Sequence, residues 1–174
     1  MGANFAAHMI SRRMSIAPFL LLAFLLVLLL RPGTLFAEGE ATIVDNLDAS
    51  PEKRFEVVNG PTPARTSASH PGYWATNYSS LPVTSGAETE RVRWVCTTLP
   101  AGDYDVYAWW AAAATRSKSA PYVIKDGATE LATVRVDQTI NGGSWRLLGA
   151  YTFSAGQHTV ELHNGGSATS GSTA

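Results

Sequence analysis

The sequence is poor in the features that most catalytic and metal chemistry needs. Its 174 residues include one cysteine, Cys96, so no intramolecular disulfide can form. Cys96 alternates with Val92 and Trp94 in a short apolar run, the setting of an inert thiol rather than a nucleophile. There is no Gly-x-Ser-x-Gly elbow and no His-Glu-x-x-His pair. His158 and His163 sit at opposite parity on one expected strand and so cannot share a metal. Lys and Arg number 13 against 14 Asp and Glu, and the cations are scattered, which excludes the basic footprint of a nucleic-acid binder. No sustained helical period follows residue 40. No enzymatic activity is expected, and a small glycoside hydrolase would need a carboxylate pair that spacing does not reveal.

One long apolar run is present. Arg12 and Arg13 precede Ile16 to Leu30, and Leu35-Phe36-Ala37 follows. That order is the basic, apolar and small-residue sequence of a secretory leader, with Ala37 or Ala41 as the last residue removed. The run is about 15 residues long, short of the roughly 20 a spanning helix needs, which favours the leader over the alternative of an uncleaved anchor. Ser11-Arg12-Arg13-Met14-Ser15-Ile16 also has the look of a twin-arginine signal. On either route the chain is secreted or held at the cell surface or in the periplasm, and it meets a membrane only if the leader is retained. The expected organisation is a leader over 1–37, one domain over 38–163, and a flexible Gly/Ser/Thr/Ala tail over 164–174.

The middle section reads as short strands divided by turn chemistry about every ten residues, the pattern of an all-β antiparallel sandwich. Thr42 to Asn46, Phe55 to Val58, Glu90 to Cys96, Tyr104 to Trp110, Tyr122 to Lys125, Leu131 to Asp137, Trp145 to Phe153 and His158 to Leu162 are the strand candidates. Alternation places Tyr104, Val106, Ala108 and Trp110 on one face and Asp105, Tyr107 and Trp109 on the other, wetter one. The same parity puts Trp145, Leu147, Gly149, Tyr151 and Phe153 on a common inward face. Asp126-Gly127 signals a hairpin, with a connection expected to exceed two residues.

Consecutive antiparallel strands alternate in direction, so alternate connections share an end. The turns 97–103, 126–130 and 154–157 fall at one end, and the loops 61–89, 111–120 and 138–144 at the other. The second rim gathers His70, Tyr73, Trp74, Tyr78, Arg116, Lys118, Gln138, Asn141 and Trp145. From it come the candidate ligand residues Tyr73, Trp74, Arg116, Asn141 and Trp145. Aromatic faces there suit pyranose rings, and the amide and guanidinium suit hydroxyls. Trp145 shares core parity and competes as a packing residue. Tyr107 and Trp109, on the sheet face, form a reserve platform. No cofactor is expected beyond a structural calcium, for which Asp45, Asp48 and Asp137 are the available carboxylates, all of them also natural turn formers.

An ordered set of short motifs carries a family resemblance. Ile43-Val44-Asp45-Asn46, Gly72-Tyr73-Trp74, Leu99-Pro100-Ala101-Gly102, Tyr104-Asp105-Val106-Tyr107-Ala108, Ser119-Ala120-Pro121-Tyr122, Val136-Asp137-Gln138, Asn141-Gly142-Gly143-Ser144-Trp145 and Leu148-Gly149 together resemble the golvesin C-terminal-like domain. The resemblance spans Ile43 to Leu162. It implies a jelly-roll-like β-sandwich, an accessory module found beside xanthan lyases and other bacterial extracellular enzymes, with polysaccharide or a cell-surface glycan as partner. That family closes its domain with a further strand, which residues 164–174 do not supply: either the sequence is a fragment with a truncated final strand, or the sheet is left with an open edge. A sheet left open in this way offers a protein partner an edge to complete.

Overall fold

The computed structural model describes residues 2–5, 7–12, 41–63, 65–66 and 72–166. The apolar run Ile16 to Leu30, His70 and the tail beyond Gly166 lie outside the described residues. Twelve strands are formed, and no helix is found among the described residues: β1 (Gly2–Phe5), β2 (Ala7–Arg12), β3 (Ala41–Asp45), β4 (Lys53–Asn59), β5 (Arg65–Thr66), β6 (Tyr78–Pro82), β7 (Arg91–Leu99), β8 (Gly102–Trp109), β9 (Ala120–Asp126), β10 (Thr129–Val136), β11 (Arg146–Phe153) and β12 (Gly156–His163). They build a five-stranded sheet in the order β10-β9-β12-β7-β4, a four-stranded sheet β11-β8-β2-β3, and a small ribbon β1-β6-β5. All pairings are antiparallel. The expected all-β sandwich is the architecture observed.

The core lies between the two larger sheets. Val92, Trp94, Tyr122, Ile124, Val160 and Leu162 come from one, and Ile10, Val44, Tyr104, Val106, Ala108 and Phe153 from the other. Trp94 and Tyr122 stack at 6.4 Å with ring planes 13° apart, filling the middle of the five-stranded layer with large flat side chains. The alternation read in β8 is the observed one, with Tyr104 at 1% exposure and Val106 and Ala108 at 0%. Cys96 is buried and unbridged.

The outer face of the five-stranded sheet is partly covered by its own charges. Glu161, central on β12, is buried and takes Arg91 at 3.3 Å, Lys125 at 3.3 Å and His163 at 3.0 Å. Burial alone would raise its carboxyl, but the bond from His163 and the charges of Lys125 and Arg91 outweigh that and hold it at about 2. Beside it, Glu56 on β4 is clamped by Arg54 and by Arg93 at 2.6 Å. These cross-strand pairs tie β4, β7, β12 and β9 together on the side away from the core.

Three local expectations differ from the structure. A bulge between Leu147 and Gly149 breaks the parity of β11, so Leu147 is 58% exposed while Leu148 turns inward at 8%. The β9–β10 connection is tight, because Thr129 pairs directly with Asp126 and Gly127 takes the left-handed turn at φ +57°. Strands also begin well before residue 38. β2 runs between β8 and β3 and buries His8 and Ile10, whereas the sequence reading placed these residues in the basic flank of a leader. The short alternation of His8 and Ile10 inward with Ser11 outward is what lets this flank pair as a strand.

Candidate functional site

The expected grouping of loops is present. At the short-turn end, Gly127 N–H donates to Gln157 O at 2.9 Å, and Ser154 bonds Asp126 through its backbone and its hydroxyl. At the other end three loops are pinned to one another. Trp109 Nε1 donates to Gly72 O at 2.8 Å, Gly143 N–H to Trp110 O at 2.9 Å, and Gln138 N–H to Ser117 O at 2.8 Å. Gly142 sits so close to this frame that a Cβ there would lie 2.5 Å from Ala112 N and 2.6 Å from Trp110 O. Only glycine lets the 138–145 loop approach the end of β8 in this way.

This frame assembles three tryptophans from three separate segments. Trp74 comes from the loop before β6, Trp109 from the end of β8, and Trp145 from the residue before β11. Their ring centroids are 5.0 Å (Trp74–Trp145), 5.1 Å (Trp74–Trp109) and 5.4 Å (Trp109–Trp145) apart, with planes 51°, 65° and 78° apart. All three remain half-buried. The rim aromatics and the reserve platform on the sheet face are therefore one cluster, since Trp109 belongs to both. Tyr107, two residues before Trp109, is also half-buried and lies directly opposite Leu147 in the ladder. Leu147, 58% exposed and paired with Tyr107, adds apolar surface next to that residue. Sequence parity missed Leu147, and the one signal for it was Gly149, a glycine inside a strand pattern.

Tyr73 continues the cluster inward, with its ring 6.3 Å from Tyr78. Arg116 lies beneath, 5.2 Å above the Tyr78 ring, and its Nη2 donates to Tyr78 Oη at 3.2 Å. It is only 8% exposed, so its cation is held against an aromatic face rather than displayed on the rim. Asn141 is exposed and takes φ +57°, and its carbonyl accepts from Arg146 Nε at 2.7 Å. The structure thus gathers Trp74, Trp109, Trp145 and Tyr73, places Tyr107 and Asn141 at the margins, and sets Arg116 below the surface.

The acidic candidates are engaged in turns. Asp48 accepts from Asp45 N–H at 2.8 Å, and Asp45 from Leu47 N–H at 2.9 Å. Asp137 accepts from the side chain and backbone of Thr139, bonds that lower its carboxyl below the usual range. Among the described residues no group of three or more His, Cys, Asp or Glu is placed to hold a metal ion.

Fold and geometry together define a class: an antiparallel β-sandwich module with a cluster of tryptophans where the loops of one rim meet. The Golvesin C-terminal domain family matches residues 42–173, and the chain belongs to that family. A solved structure described as Paenibacillus xanthan lyase is similar, with a TM-score of 0.59 and 17% identity, over 97% of this chain and 20% of that chain. This chain thus spans about a fifth of the lyase's length, and the likeness is one of fold. A comparison with curated proteins returned no match.

Proposed function

We propose that this chain is an exported, non-catalytic accessory module that binds polysaccharide or another cell-surface polymer through its aromatic rim. The observation that carries the reading is the convergence of Trp74, Trp109 and Trp145 from three segments into one half-exposed cluster, held by backbone contacts that would fit no side chain at Gly142. A solvent-facing group of large aromatics is costly as mere cover and useful as a surface for sugar rings. The position of a similar fold as a fifth of a xanthan lyase supports a role beside a catalytic unit. The leader-like segment before residue 38 supports export.

A pull-down on a panel of insoluble and soluble polysaccharides tests the reading. At least one polymer is expected to retain the protein, and Trp74→Ala, which removes the ring that touches both other tryptophans, is expected to weaken retention at least tenfold. Equal retention of wild type and Trp74→Ala on every polymer, or no retention at all, would sink the proposal.

A further inference from the structure

The arginines of this fold fall into two groups. On the outer face of the five-stranded sheet, Arg54 and Arg93 pair with Glu56, and Arg91 pairs with Glu88 and Glu161. At the aromatic rim, no carboxylate among the described residues is in ion-pair contact with Arg116 or Arg146. Arg116 is buried and has the Tyr78 ring in place of an anion. Arg146 is exposed. The acidic residues at this end are engaged elsewhere: Asp137 accepts from Thr139 and has Lys118 as its near cation, while Asp45 and Asp48, beyond β2, close their own turn.

Arg146 is held in place. Its Nε donates to Asn141 O at 2.7 Å, and its guanidinium makes no further bond among the described residues, so Nη1 and Nη2 keep their donors free. The loop that fixes it is itself fixed. Trp110 Nε1 donates to Ile140 O at 3.1 Å, Gly143 N–H to Trp110 O at 2.9 Å, and Gly142 has no room for a Cβ. Asn141, in the left-handed region at φ +57°, also leaves its exposed side-chain amide without a bond among the described residues.

The same loop delivers Trp145 to the tryptophan cluster one residue before Arg146. Trp145 packs on outward-facing Trp109, whereas Arg146 lies opposite core-facing Ala108, so the two side chains flank the start of β11 from its two sides. A ligand that engages both must extend over more than one sugar. The tryptophan planes are 51° to 78° apart, so a flat sugar face rests on one ring at a time. Stacking of that kind accepts any pyranose, and selection falls to the polar group beside it. A guanidinium with both terminal nitrogens free offers two parallel N–H donors at the spacing of a carboxylate.

We propose that Arg146 is the charge-recognising residue of the rim and that its ligand is an acidic polysaccharide, in which a uronate carboxylate takes Nη1 and Nη2 while a neighbouring sugar stacks on the tryptophan cluster. This inference rests on the reading of the rim as a polysaccharide site and adds to it the class of polymer.

Affinity electrophoresis of the full chain through gels holding polygalacturonate, alginate or hyaluronate, each beside its methyl ester, tests it. The ester keeps the backbone and removes the charge. Dextran sulfate and polyglutamate are the control polyanions. At least one uronate polymer is expected to hold the wild type about tenfold more tightly than its ester, and Arg146→Gln is expected to erase that preference. Arg146→Lys, which keeps the charge without the planar fork, should restore only part of it. Thermal melts of both variants within about 3 °C of wild type separate loss of the contact from loss of the fold. Equal binding of acid and ester, a preference that survives Arg146→Gln, or binding of either control polyanion as tightly as the best uronate would overturn the inference. Retention of an ester that is lost in Trp74→Ala but indifferent to Arg146→Gln would leave the rim a sugar site and remove only the carboxylate; retention by no polymer would sink both.

Discussion

Replacing Glu161 by glutamine probes the one charge that the fold has most thoroughly enclosed. The carboxylate is 2% exposed and sits among Arg91, Lys125 and His163. Its pKa falls from an ordinary 4.5 to about 2, a difference that corresponds to about 3 kcal/mol of stability at neutral pH. Because the folded-state value is the lower one, this contribution is complete above about pH 5 and is lost as the pH falls toward 2. Glutamine keeps the shape and an acceptor but removes the charge facing Lys125 and Arg91, of which Arg91 alone keeps a second carboxylate in Glu88, so the variant should lose about 2–3 kcal/mol at pH 7. Urea unfolding followed by tryptophan fluorescence reads both proteins. The gap between them should be widest near pH 7, shrink to less than half by pH 3, and vanish near pH 2. A gap below about 0.5 kcal/mol at pH 7, or one that stays constant down to pH 3, would refute the assignment of Glu161 as the hub of the outer face.

Two further substitutions test the frame under the aromatic rim. Gly142→Ala forces a methyl against Ala112 N and Trp110 O, both backbone atoms. It should destabilise the protein by more than about 2 kcal/mol and change tryptophan emission as Trp145 leaves its neighbours; unchanged emission would show the loop to be independent of the cluster. Arg116→Ala removes the cation above Tyr78 and should cost about 1–2 kcal/mol in a urea titration, with Arg116→Lys recovering only part of it because the planar stack and the bond to Tyr78 Oη are both lost.

Much of the fold beyond residue 40 is legible in the sequence, because its strands obey period-two patterning. Tyr104, Val106 and Ala108 announce the inward face of β8, and the turn chemistry at Ala101-Gly102 and Asp126-Gly127 marks where β8 and β9 meet their neighbours. Legibility fails where one residue changes the count. The bulge before Gly149 reverses the parity of Leu147 and Leu148, and no propensity scale shows on which side of a bulge a leucine will point. The rim was readable as a grouping of loops but not as a contact, since the meeting of Trp74, Trp109 and Trp145 depends on a Gly72–Gly143 approach that only the assembled sheets create. Arg116 was legible as a loop cation. Its burial was not, because a guanidinium is covered only when another strand, here β6, brings an aromatic face such as Tyr78 to it.

The position of β2 imposes a topological choice that can be read directly. β2 and β3 are antiparallel neighbours, and the apolar run Ile16 to Leu30 lies in the chain between them. If that run crosses a membrane, residues 7–12 and residues 41–45 stand on opposite sides of it and cannot pair. If they pair, the run does not cross. Ser11 lies opposite Ala41, on the outer side of the ladder. Paired positions on antiparallel strands have Cα separations of about 4.5–5.5 Å, within the reach of a disulfide. Native Cys96 is buried and does not compete. The double variant Ser11→Cys, Ala41→Cys should therefore cross-link under mild oxidation in chain that has folded without export, giving a faster-migrating band on a non-reducing gel. Moving one partner by a residue, as Arg12→Cys with Ala41→Cys, points that side chain to the opposite face and should abolish the band. Cross-linking in exported chain to the same extent would mean that β2 remains seated after translocation, and the apolar run would then be neither a spanning anchor nor a removed leader.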